Sequence, residues 1–188
     1  MGLAYFRVSP AHYEALQGLI LQHEADILGP RGRGLWYERP DDYDYHAVQY
    51  IARRLFSESR ELAEATLELS ENEAHSLSML EIELPPDSLE LPPSLFIASG
   101  SPDQVKRSLK IARRRLGATS AQAITKLEVS GTDPRYVGYL RRTLRHLQGA
   151  LPKVWDFFEQ AERHQQAVIL VDLRARDVEI LDPVEMAV

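Results

Sequence analysis

Ala4, Phe6 and Val8 alternate with Tyr5 and Arg7 at the start of the chain, the period-two pattern of a strand. Ser9 and Pro10 follow, a helix cap and a residue suited to a first helical turn. The period then changes: Leu16, Leu19, Ile20, His23 and Ile27 recur at helical spacing and predict one buried stripe. "GPRGRG" at 29–34 interrupts that stripe, "LWYE" predicts a short strand, and the loop "RPDDYD" leads into a second helix from near Tyr45 to roughly Leu69.

Further on, "MLEIEL" at 79–84 alternates Leu80, Ile82 and Leu84 with Glu81 and Glu83, again a half-buried strand, ended by Pro85 and Pro86. "LFIASG" predicts another strand, and Ser101 with Pro102 opens the helix "QVKRSLKIARRRLG", 104–117, which Gly117 closes. The β-branched content of "AITKLEVSG" favours a strand, although a helix fits it as well. "TDPRYVGYL" begins a long helical region reaching "RHQQ", with a break or kink expected at Gly149 to Pro152. "AVILVDL" has the unbroken apolar run of a buried strand, and "RARD" can turn it into a hairpin with "VEIL". The expected fold is α+β, a mixed sheet of about five to seven short strands with helices packed on it, two of them basic and amphipathic. One domain over 1–188 is expected, divisible into lobes at 1–96 and 97–188, without internal repeats.

Composition narrows the chemistry. The chain is 44% hydrophobic and 27% charged, the balance of a globular protein. It has no cysteine, which excludes disulfides, thiolate catalysis and Cys-ligated metal sites. No run of eighteen apolar residues is present and "MGLAYFRVSP" lacks the features of a secretory signal, so a cytoplasmic protein without membrane contact is expected.

Charge changes the picture most. The net charge is -6, yet 104–146 carries eleven cations against Glu128 and Asp133, a net of +9, while 57–90 carries ten acids against Arg60, a net of -9. In the first basic helix Val105, Leu109, Ala112 and Leu116 form the core stripe and leave Lys106, Lys110, Arg113 and Arg114 outside it. In the second, Val137, Leu140, Leu144, Leu147 and Leu151 turn inward and leave Arg141, Arg142 and Arg145 to solvent. Side by side, the two helices would build a positive face. That face can pair with the acidic block, dock an acidic protein, or contact a phosphate backbone.

Candidate chemistry outside that face is thin. Arg31 and Arg33 in the glycine-rich loop can hold an anion, but the loop matches neither a Walker loop nor a dinucleotide fingerprint. Asp41, Asp42 and Asp44 with His46 offer metal donors, yet Asp42 or Asp44 serves equally as a helix cap, and neither a metal nor a cofactor is expected. Trp36, Tyr37 and Tyr43 around those acids are candidate aromatic anchors.

Three family likenesses bear on function. "ARRRLGATSAQAITKLE" resembles the turn and recognition helix of helix-turn-helix regulators, which implies nucleic-acid contact by 104–146. The order "YFRVSP", "GLWYE", "SMLEIELPPDSL" resembles the first half of ADP-ribosyltransferase-type proteins; that likeness implies NAD held by Arg7, exposed on the first strand, and by Tyr37. It also implies a glutamate on a later strand, for which Glu83, Glu128 and Glu179 remain open. The two ends resemble YfbM-like bacterial proteins of unknown function, which bears on architecture alone. The preferred expectation is a non-catalytic interaction protein of the immunity, antitoxin or adaptor kind, docking a protein partner. Nucleic-acid binding and an NAD-dependent transferase are the alternatives.

Overall fold

Short polar side chains decide where the helices begin. Ser9 Oγ accepts the His12 N–H at 3.2 Å, and Asp133 Oδ1 accepts the Arg135 N–H at 2.9 Å. Two reciprocal capping boxes mark further starts. The Ser70 N–H donates to Glu73 Oε2 at 2.9 Å and the Glu73 N–H to Ser70 Oγ at 3.3 Å. Ser101 and Gln104 repeat the exchange at 2.7 and 3.4 Å. The computed structural model describes residues 2–28, 45–78, 97–124 and 133–172. Its elements run β1 (Leu3–Val8), α1 (Pro10–Leu28), α2 (Tyr45–Leu62), β2 (Ala65–Leu69), α3 (Glu71–Ser78), β3 (Ile97–Gly100), α4 (Pro102–Ile124), α5 (Pro134–Arg163) and β4 (Ala167–Asp172).

The four strands form one sheet in the order β2-β1-β4-β3. Every pairing is antiparallel: Arg7 opposes Ala65 on one side and Val168 on the other, and Gly100 opposes Val168. The fold is α+β, but the described sheet is not mixed. The reason is the helix count between paired strands. Two helices, α1 and α2, carry the chain out from the end of β1 and back, so β2 starts where β1 stopped; α4 and α5 do the same between β3 and β4. The first half of the chain thus gives β1 and β2 to the sheet, and the second half gives β3 and β4.

Strand alternation sorts the core into two layers. Tyr5, Leu69, Ala98 and Val168 point to one face, covered by Leu77, Val105, Leu109 and the α5 residues Leu147, Leu151, Val154 and Phe158. Ala4, Phe6, Val8, Ile169 and Val171 point to the other, covered by Leu16, Leu19 and Ile20 of α1 and Ala52 and Leu55 of α2. Tyr5 meets Phe157 and Phe158 edge to face, with both ring centroids 6.1 Å away, a geometry that adds about 1 kcal/mol per pair beyond burial.

Several sequence expectations need correction. The helix expected from Tyr45 to roughly Leu69 stops at Leu62, and 65–69 is a strand. "ATLEL" combines helix-forming residues with period-two spacing, and pairing with β1 decides the outcome. The helix of 71–78 was not expected. Gly117 does not end α4, which continues to Ile124 and takes in the first two residues of the "AITKLEVSG" strand expectation. The long helix α5 is unbroken through Gly149 and Pro152, with Pro152 exposed and off the buried stripe. Against the five to seven strands expected, the described sheet has four, of which β1, β3 and β4 were expected and β2 was not; "LWYE", "MLEIEL" and "VEIL" lie outside the described residues.

Candidate functional site

The basic helices dock as their apolar stripes dictate. Val105, Leu109 and Ala112 are fully buried, which turns Lys106, Arg107, Lys110, Ile111 and Arg114 of α4 outward. On α5, Val137, Leu147 and Leu151 are buried, and Arg141, Arg142 and Arg145 are exposed. Arg141 already has an interaction partner.

Arg113 behaves differently from its neighbours. Its guanidinium lies 2.8 Å from Glu162 and 3.3 Å from Glu159, and Glu159 also accepts the Trp155 indole N–H at 3.1 Å. Partial burial works against the charged guanidinium, but the hydrogen bonds and charges of Glu162 and Glu159 outweigh it and raise the Arg113 pKa. Arg113 therefore pins α4 to the C-terminal end of α5 instead of standing free. At this exposure each ion pair is worth about 0.2–1 kcal/mol.

That contact fixes how the cations are distributed. Arg145 and Arg141 precede Glu159 on the same helix by 14 and 18 positions, about 21 and 27 Å along the axis at about 1.5 Å per residue. Among the described residues the positive charge thus falls into two patches, one on α4 beside Arg113 and one on the first half of α5. Three carboxylates of the acidic block are engaged away from both patches. Glu58 pairs with Arg54 at 2.8 Å on its own helix, Glu73 pairs with Lys153 at 3.1 Å, and Glu64 accepts the Gln166 side-chain amide. Lys106, Arg107, Lys110, Arg114, Arg142 and Arg145 form no ion pair with a described residue.

Arg7 is not the exposed strand residue that the transferase likeness implied. Alternation puts it on the Tyr5 face, under α5, with its guanidinium carbon 5.3 Å from the Phe157 ring centroid. Its Nε and Nη1 are buried without a hydrogen-bond partner. Beside it the Glu64 N–H donates to the Arg7 carbonyl at 2.8 Å, and Glu64 holds the buried Gln166. This cluster of Arg7, Glu64, Gln166 and Phe157 joins residues from four parts of the chain, and no local spacing announces it. It braces the end of the sheet where β1, β2 and β4 meet, with a cation–π contact worth about 1–2 kcal/mol.

The remaining sequence candidates, Trp36, Tyr37, Asp41, Asp42, Tyr43, Asp44, Arg31 and Arg33, lie outside the described residues, as do Glu83, Glu128 and Glu179. Among the described residues no group of three His, Asp or Glu side chains is arranged to hold a metal ion, and no helix is long and apolar enough to cross a membrane. No protein-family model, curated protein or solved structure matches the chain.

Proposed function

We propose that this is a non-catalytic interaction protein, of the immunity, antitoxin or adaptor kind, which docks a macromolecular partner through the basic surfaces of α4 and α5. One observation carries the reading: Lys106, Arg107, Lys110, Arg114, Arg142 and Arg145 are exposed on these helices and form no ion pair with a described residue, while Glu58, Glu64 and Glu73 of the acidic block are engaged by Arg54, Gln166 and Lys153. Like charges held together on rigid helices raise the local potential, and a partner of opposite sign both relieves it and is steered towards it. A protein partner is preferred to nucleic acid because the cations stand in two patches about 20 Å or more apart, with an exposed isoleucine inside one of them.

The test is recovery of the tagged protein from an extract of its own cells, followed by titration of the recovered partner. Charge reversal of Arg114 and Arg142 together should weaken binding at least tenfold, and the wild-type affinity should fall as salt rises. Affinity that ignores both changes would overturn the proposal. A steeply salt-dependent shift of short duplexes or RNA, abolished by the same variant, would replace the protein partner with nucleic acid. NAD-dependent stabilisation in a melt, lost on Arg7→Ala, would restore the transferase reading.

A further inference from the structure

Ile111 is 38% exposed in the middle of the most basic stretch of the chain. It follows Arg107 by four positions and precedes Arg114 by three, the two spacings that bring side chains together on one helix face, and Lys110 adjoins it. All four side chains are exposed, on the side away from Val105, Leu109 and Ala112. The result is an exposed apolar side chain with arginines one turn above and below it and a lysine beside it.

We infer that this face of α4 docks an acidic protein segment bearing one apolar side chain, which seats on Ile111 while its carboxylates meet Arg107, Lys110 and Arg114. The inference rests on the docking function proposed above and specifies the chemistry of its partner. Charge complementarity sets the sign of the segment. Arginine adds direction, because its planar donors match a carboxylate edge to edge and its weak hydration lowers the cost of burying it in an interface. The isoleucine sets the rest. A phosphate backbone uses the cations but leaves Ile111 against polar sugar and water, whereas a peptide side chain removes it from water. A dry centre ringed by charged, solvent-facing contacts is the usual anatomy of a protein interface.

The test uses the full-length protein and a fluorescein-labelled peptide with a single leucine between pairs of aspartates, read by fluorescence anisotropy. The leucine peptide should bind, and exchanging its leucine for serine should weaken binding about fivefold to tenfold. Ile111→Ser in the protein should produce the same loss, and Arg107→Glu with Arg114→Glu a loss of at least tenfold. Since these positions are exposed, unchanged thermal melts of the variants confirm that folding is intact. If both peptides bind alike, or Ile111→Ser changes nothing, the attraction is charge alone and the inference is overturned. If neither peptide binds while a natural partner is still released by Arg142→Glu with Arg145→Glu, docking survives on α5 and the α4 assignment is wrong. If that partner ignores changes on both helices, the docking function itself fails.

Discussion

Gln165 occupies the one left-handed backbone position found outside glycine in the described chain, at φ 53°. It is the residue after the α5 C-cap: the Gln166 N–H returns to the Ala161 carbonyl at 2.8 Å and the Gln165 N–H to the Glu162 carbonyl at 3.2 Å, a Schellman closure. Glycine normally takes this place because a Cβ costs about 1–2 kcal/mol there. After the greater chain entropy of glycine is subtracted, Gln165→Gly should stabilise the protein by about 0.5–1 kcal/mol and raise its melting temperature by about 1–3 °C. A lower melting temperature would show that the glutamine makes a contribution beyond the turn. Glu73 gives a pH-dependent case. The Ser70 backbone N–H, opposed by partial desolvation and joined by the Ser70 hydroxyl and Lys153, holds its carboxyl below the usual range. A depressed folded pKa contributes stability that is complete above the unfolded value of about 4.3 and is lost as pH falls through the folded value. Glu73→Gln keeps an acceptor for Ser70 and should cost about 0.5 kcal/mol at pH 7, a gap that narrows in urea melts at about pH 3. An equal gap at both pH values would contradict this origin.

Elements with a local signature were legible, and those decided by distant partners were not. Ser9, Ser101 and Asp133 announce α1, α4 and α5 because a cap needs only residues two or three positions away. "SENE" at 70–73 carries the same signal for α3, which the continuous helical composition before it obscured. The strand β2 depends on β1, more than fifty residues earlier, so no window of local sequence could settle it. Its register leaves a mark that can be tested. A Cβ on Gly2 would lie 1.6 Å from the Leu69 carbonyl oxygen, so Gly2→Ala must push the two strands apart. The expected cost is about 1–3 kcal/mol in a thermal or denaturant melt. A variant as stable as the natural protein would mean that β1 and β2 pair differently.

At the scale of the molecule, the α+β class and the opposing charge blocks could be read from the chain, but the arrangement of the charges could not. Arg113 reads as one cation among six in 104–117, yet it is tied to Glu159 and Glu162, more than forty positions on, and this contact divides the positive surface. Arg7, on a strand of alternating pattern, likewise gave no sign that Phe157 would cover it. Among the described residues, Lys106, Arg107, Lys110 and Arg114 on α4 and Arg142 and Arg145 on α5 stand outward without a described ion-pair partner. Lysine-specific covalent labelling read by mass spectrometry, on the protein alone and in an extract of its own cells, tests their availability most directly. Lys106 and Lys110 should react fully in the isolated protein and become protected in the extract, while Lys153, paired with Glu73, changes little. Protection already present in the isolated protein, or full reactivity in both, would contradict docking through these helices.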